Sequence, residues 1–434
     1  MKIRDFSNDR PVISFDMFPP PTCHQFRDSS LKQGLGFLGV LLYNDFMIDS
    51  EGKRWWSRFR VSPGRLLLLL AVALVCLSSL LLMPYVKKRL LLSDIQRLKH
   101  HTLYYQRGGP DWFLDWMKKE REVRSFSEQY TLWPSDTVSG VSVRGETIND
   151  QWIKRLTIFP HLEELGLRDS RVTNQGLVVL KRFPLLTHLA LNNARVTDEG
   201  LVHLKHVPKL DYLSLQNCDV SDHGLINLRY LKRLERLHLD RTKAANQCLS
   251  TLTCQSTLVY LSLERSKIGD EGLKQISTFT KLRTVILSDT QVGDPALQFF
   301  SGMLALEGLL LKETKITDEG LQFLKLNPQL ELLSLDNTNI TDAGLVHLKN
   351  LKNLKYLSLN GTSISSAGLV HLANLKKLRY LFLDGTLITS QGLRHLNGLS
   401  KLNHIGLSGT AITDQDIHEL RKEFPRFSYV EIHK

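Results

Sequence analysis

Glycine returns every 24 residues, or at a multiple of 24, along most of this chain: Gly176, Gly200, Gly224, Gly272, Gly320, Gly344, Gly368 and Gly392. A period of this size overrides any domain count based on length, because a chain that repeats one supersecondary unit stacks its copies instead of folding separate globules. The gaps in the series fall at Trp152, Cys248, Ala296 and Asp416, each inside a recognisable though altered unit, so twelve anchors of about 24 residues each span 137–434. A closing strand is expected at Val430 and Ile432, after a one-residue slip of the period.

Each unit changes its own period half-way. In residues 354–377, Leu357 and Leu359 alternate with Tyr356, Ser358 and Asn360, the pattern of a short half-buried strand. Leu369, Leu372 and Leu375 then recur at helical intervals. Between the halves sits a Thr-Asp pair such as Thr341-Asp342, which reads as N-cap chemistry contributing about 1 kcal/mol per cap. No unit can bury its leucines alone, but stacked units share one continuous core. Thirteen strands at ~4.8 Å each would make a parallel sheet about 60 Å along its arc, concave because the helices behind it are wider. The predicted fold class is therefore an α/β solenoid with a parallel concave sheet and convex helices.

Six residues before each anchor stand Ser170, Ala194, Cys218, Thr242, Ser266, Thr290, Thr314, Thr338, Thr362, Thr386 and Thr410. A hydroxyl that recurs in every unit is scaffold, a stacked ladder serving the backbone that leaves each strand, and not a nucleophile.

The unit resembles the T-D-x-G-L subclass of leucine-rich repeats, of the F-box-adaptor-like or cysteine-containing-like kind, over about 300 residues. It is similar to membrane-anchored planctomycete bacterial proteins, in which a basic-aromatic stretch (here Arg54-Trp55-Trp56-Ser57-Arg58-Phe59), an uncleaved anchor and a Gly-Pro-x-Trp-like segment (Gly109-Pro110-Asp111-Trp112) precede the repeats. The resemblance implies a right-handed horseshoe and protein interaction. F-box helices are not visible, so no residue supports a ubiquitin-ligase adaptor.

Ahead of the repeats, residues 66–83 carry no charge, and 66–86 make a stretch long enough to cross ~30 Å of hydrocarbon as one transmembrane helix. Trp55, Trp56, Phe59 and Tyr85 sit where interfacial aromatics usually do. No cleavage-site pattern follows, so the segment is expected to be an uncleaved signal-anchor. Basic residues tie at five on each side; a cytoplasmic N-terminus with extracytoplasmic repeats is the expected orientation. Residues 1–50 read as disordered or as an over-extended translation start, 51–65 as a basic-aromatic flank, and 87–136 as stalk and N-terminal cap. In that cap Trp112, Phe113, Trp116, Phe126, Tyr130 and Trp133 would lie over the first repeat.

The net charge of +12 invites nucleic acid, but residues 51–100 alone carry ten Lys/Arg against two Asp/Glu. A basic cluster beside an apolar helix marks topology and anionic lipid, so no nucleic-acid partner is expected. Five cysteines, with no zinc spacing, leave the solenoid without disulfide caps. His203, His347, His371 and His395 recur three after the anchor without acidic or cysteine ligands, so neither a metal nor any other cofactor is expected.

Strand residues that point away from the core form columns. The column twelve before each anchor includes His188, Tyr212, Arg236, Tyr260, Leu332, Tyr356, Tyr380 and His404; the next adds His238 and Phe382. Tyr and Arg are enriched in binding hot spots, and mostly small neighbours in the second column keep these rings accessible. Two patches result, 212–260 and 356–404, with Ile286, Leu310 and Leu332 as an apolar saddle between. The competing reading is that the rings only stack with one another across strands. Asp240, Asp336 and Asp384 read as isolated acids on an open surface, with no carboxylate pair for acid–base work. The chain is therefore expected to be a membrane-anchored scaffold binding a protein partner on its concave face, not an enzyme. A self-associating surface protein is the alternative.

Overall fold

The computed structural model describes residues 63–98, 101–106, 137–425 and 431–433. The expectations for 1–62, for Gly109-Pro110-Asp111-Trp112, for the aromatic lid and for Val430 lie outside those residues. The chain divides into two compact units, 1–81 and 82–434.

Pro63–Gln96 is a single helix of 34 residues, α1. Among the described side chains no helix is long and apolar enough to cross a membrane. Most side chains of the uncharged run, 66–70, 74–76 and 78–82, are outside the described ones, and the spanning expectation rests on them. In the second unit α1 turns from exposed to buried: Met83, Tyr85, Val86 and Leu90 are exposed, whereas Leu91, Leu92 and Ile95 are buried in the core. Asp94 fixes this docking through Arg155 at 2.6 Å.

Two strands follow, β1 (His101–Gln106) and β2 (Thr137–Arg144), paired antiparallel. The antiparallel β1 has no leucine period to announce it. From β2 onward every strand pairs parallel with the next in chain order, through β3 (Glu164–Arg168), β4 (His188–Ala190), β5 (Tyr212–Ser214), β6 (Arg236–His238), β7 (Tyr260–Ser262), β8 (Thr284–Ile286), β9 (Gly308–Leu310), β10 (Leu332–Ser334), β11 (Tyr356–Ser358), β12 (Tyr380–Phe382), β13 (His404–Gly406) and β14 (Glu431–His433). Register is one unit per strand, as in Leu333 to Leu357 to Leu381. At the end His404 pairs with Glu431, three residues beyond the 24-residue step rather than the single-residue slip expected. The reason is Asp414–Glu423, a true α-helix of 10 residues. An α-helix rises ~1.5 Å per residue against ~2.0 Å for a 3-10 helix, so it consumes more chain to cross the same width.

Elsewhere the convex layer carries the expected helices, in short and partly 3-10 form. Half of the twelve units make one α turn and continue as 3-10 helix, as in Asn174–Leu177 followed by Val178–Arg182, and Asp198–His206 is 3-10 throughout. The leucines explain it. Three-residue spacing, Leu369, Leu372, Leu375, puts all of them on one line at 3.0 residues per turn but lets them drift at 3.6. All three are fully buried, with Leu357 and Leu359 facing them from the sheet; each such burial contributes about 1.5–3 kcal/mol.

The Thr-Asp pair is also not what its spacing suggested. Thr341 does cap its own helix, accepting from the Ala343 N–H at 3.3 Å. The aspartate reaches forward into the next unit instead. Asp342 accepts from the Ser365 N–H at 2.8 Å and its hydroxyl at 2.5 Å. Asp318 clasps Thr341 and Asp294 clasps Thr317 in the same way. A Cβ on the anchor glycine would collide with this carboxylate, Gly344 with Asp318 and Gly368 with Asp342. The anchor is glycine because its neighbour's aspartate lies on it.

The recurring hydroxyl likewise serves its own unit. Thr290, Thr338 and Thr386 donate to the carbonyl three residues back, at 2.6, 2.5 and 2.5 Å, closing a turn rather than building a ladder between units. Just before it each unit has a left-handed residue, Asp169, Asn193, Asn217, Arg241, Arg265, Asp289, Glu313 and Asn337, then Gly361, Gly385 and Gly409, with φ between 52° and 70°.

Candidate functional site

The outward columns of β4 to β7 and of β11 to β14 bring the expected aromatics into two chains of touching rings. In the first, His188 stacks on Tyr212 at 5.7 Å, Tyr212 meets His238 at 5.3 Å, and His238 meets Tyr260 at 4.7 Å. The chain steps sideways at His238 because Arg236, in register between the two tyrosines, turns into solvent and is exposed. In the second, Tyr356 touches Tyr380 at 6.2 Å and Phe382 at 5.2 Å, and Tyr380 lies flat on His404 at 4.7 Å with 5° between planes.

Stacking and exposure hold together here. His188, Tyr212, His238, Tyr260, Leu332, Tyr356, Tyr380, Phe382 and His404 are all half-buried, none of them closed off. Rings inside each chain touch two neighbours, as Tyr212 touches His188 and His238, and still keep part of their surface exposed. Leu332 stands in register beside Tyr356 and borders the second patch, with Ile286 and Leu310 half-buried toward the first. No ring contact joins the two patches among the described residues.

One member of the second patch escaped the sequence. His433 stacks on His404 at 6.3 Å with 7° between planes. It stands in the second outward column, paired with Gly406. The three-residue shift of β14 hid it, since the 24-residue frame does not put position 433 in a column.

Electrostatics under the rings come from the third column. Asp240, Asp336 and Asp384 are not isolated acids: each is wired into the next unit. Asp240 accepts from the Glu264 N–H at 3.0 Å and from the Ser262 hydroxyl. Asp336 accepts from the Asn360 N–H at 2.8 Å and from the Ser358 hydroxyl, and Asp384 from the Ser408 N–H at 2.7 Å. They form a polar spine beside the aromatics, and parallel stacking explains it, since each carboxylate meets the amide one strand on. The Tyr356 phenol is pushed above its ordinary pKa, by burial first and by Asp336 second, against a lowering hydrogen bond with Ser358.

Nothing in this spine is placed for chemistry on a substrate. Among the described residues no three His, Cys, Asp or Glu side chains are grouped to hold a metal ion. Cys218, Cys248 and Cys254 are buried and free. Burial pushes the Cys218 thiol up to about 12 and the Cys254 thiol up to about 11, so neither is a nucleophile near neutrality.

Family profiles for leucine-rich repeats match residues 254–277 and 328–388. The repeats are leucine-rich repeats. An internalin of Listeria monocytogenes superposes with a TM-score of 0.52 at 24% identity, over 68% of this chain and 86% of the internalin, a likeness of fold alone. A leucine-rich-repeat protein of Leptospira interrogans gives a TM-score of 0.44 at 20% identity, over 65% of this chain and 80% of that one. No curated protein sequence matches. The leucine-rich repeats here thus have their fold in common with a known structure.

Proposed function

We propose that this leucine-rich-repeat protein is a membrane-tethered scaffold that binds a protein partner on the open face of its parallel sheet. The observation that carries the reading is the pair of half-exposed ring chains, from His188 to Tyr260 and from Tyr356 to His404. Rings already held by their neighbours lose little side-chain entropy on binding, and Tyr and Arg are the residues that anchor interfaces. Arg236 in the first patch supplies a charge beside the rings, and Leu332 an apolar border to the second. The face offers no enclosed site or activated nucleophile for catalysis, so a non-enzymatic role suits it best.

The tether is residues 66–86, with the N-terminus cytoplasmic and the repeats on the other side. Support comes from an uncharged run that lies wholly within a 34-residue helix. The T-D-x-G-L pattern and the basic-aromatic flank support this reading, because both resemble those of membrane-anchored planctomycete bacterial proteins.

A photo-reactive residue at Tyr356, with one at exposed Lys349 as control, tests the face in intact cells. A single adduct at 356 that is absent at 349 and lost in the Arg236→Ala/Tyr380→Ala variant is the expected result. Equal labelling at both positions removes the proposal, and an adduct with a second copy of the chain replaces it with self-association. Protease added outside spheroplasts should remove the repeats if the orientation is right.

A further inference from the structure

The ends of the convex segments carry a charge pattern that the stacking of repeats does not require. Counted from each anchor, positions five, six, eight and nine hold sixteen Lys or Arg over the twelve units and no Asp or Glu. Lys181, Lys205, Lys232, Lys352, Lys376 and Lys401 are among them, and all sixteen are exposed. Apart from Arg421, none pairs with a carboxylate of the described residues. Acids stand beside them at position seven in the last unit, Glu423, and at position eleven, Glu163, Asp211, Glu235, Glu307 and Glu331; Glu423 is taken by Arg394, Glu307 by Arg283, Glu331 by Lys355, and Asp211 lies 3.5 Å from His188.

A cation at the end of a helical segment is favoured by its dipole, which accounts for position five. It does not account for Lys209, Lys232 and Arg233, which lie past the segments ending at His206 and Tyr230. Like charges gathered this closely also oppose folding. His203 is held below its ordinary pKa by burial first, then by His206, Lys205 and Lys181. Lys376 and Lys377 donate to neutral oxygens, of Gly398 and Asn353, and Arg229 lies on Tyr230, so charge is not neutralised there; exposed cations kept at some cost are a surface for an anion.

The chain enters the second unit on this same rim. Lys87, Leu90 and Leu91 border a groove of about 340 Å³ with Lys154, Arg155, Thr157 and Ile158, and Lys88 lines another with Val138, Ile158 and His161. From there α1 crosses toward the far ends of the strands, where His101 pairs with Val143. Residue 82, the first of this unit, lies near the end of the uncharged run in the chain.

We propose that the basic rim of the repeats lies against an anionic lipid surface, so that the solenoid is held down on the bilayer by charge as well as by its helix. The placement rests on the membrane-anchor reading; the chemistry rests on the row of cations.

The test is amide-hydrogen exchange on the full chain reconstituted in vesicles of phosphatidylcholine, with or without about 30% phosphatidylserine. Segments 349–353, 373–377 and 397–401 should exchange several-fold more slowly on the anionic vesicles. That protection should vanish in roughly 0.5 M salt, where screening is short-ranged, and in the variant Lys352→Glu/Lys376→Glu/Lys377→Glu/Lys401→Glu. Salt acts on the unmodified protein, so the result does not depend on the variant folding. Equal exchange on both vesicle types overturns the proposal, as does protection by duplex DNA on neutral vesicles without protection by anionic lipid. Flotation with neutral vesicles reads the anchor separately. Its failure alongside salt-sensitive protection on anionic vesicles would sink the anchor and leave the rim.

Discussion

The two edges of each repeat use charge in opposite ways. Where a strand hands over to the convex layer, Asp150, Asp198, Asp294, Asp318 and Asp342 are each engaged by a backbone N–H and a hydroxyl of the following unit. Where the convex layer hands back to a strand, the lysines and arginines stand exposed. The first edge is consumed by architecture, and the second is left over. A charge that recurs with the repeat is therefore not by itself a sign of function; what distinguishes the two edges is that the next unit engages each of these aspartates in the same way, whereas Lys376 and Lys377 reach neighbouring units at unrelated oxygens, of Gly398 and Asn353.

The clasp edge should be the costly one to disturb. Asp342→Ala removes two hydrogen bonds to a charged acceptor, and urea unfolding should show a loss of about 3 kcal/mol. Gly368→Ala should cost about 2 kcal/mol alone, because the new Cβ meets the Asp342 carboxylate. In combination with Asp342→Ala the penalty should shrink, since the colliding group is gone; strict additivity would mean the glycine is required for some other reason.

The corner between the edges separates early units from late ones. Gly385→Ala, which has room for a Cβ but a φ of 66°, should cost about 1–2 kcal/mol. Arg241→Gly, relieving the same conformation at φ 55°, should stabilise by about 1 kcal/mol in thermal unfolding. A null result at both would mean that these corners carry no strain.

Smaller effects belong to the exposed surfaces. Because the Tyr356 phenol is raised in the folded state, the fold holds that proton more tightly than the unfolded chain does. Its contribution is whole below the unfolded pKa of about 10 and is lost as pH rises past it. Tyr356→Phe should therefore flatten the alkaline limb of a stability–pH profile, and an unchanged limb would contradict the burial. Least of all, Lys352→Glu and Lys376→Glu should each leave the unfolding midpoint within about 0.5 kcal/mol of the parent. A larger loss would move the basic rim onto the structural side of the comparison.

The period, the strand half and the identity of the outward columns were legible because a strand displays its alternation in the sequence directly. Tyr356, Tyr380 and His404 needed only counting by 24 to be set side by side. The convex helices were legible too, but not how much of them is 3-10, although leucines at strict three-residue steps favour that tighter form. His433 and the antiparallel β1 were missed because both fall outside the period, one displaced by the 10-residue helix Asp414–Glu423 of the last repeat and the other preceding the repeats.

By itself, then, the sequence determined which residues recur, which face each takes and that the copies must stack, since no unit buries its leucines alone. Only the tertiary structure decided what the recurring polar groups do. The aspartate that looks like a cap is a clasp, the acids that look isolated form a spine, and the tyrosines that look free lean on one another. The physical reason is that hydrogen-bond partners in a parallel stack lie one unit away, at a separation of some 24 residues that local spacing cannot reveal.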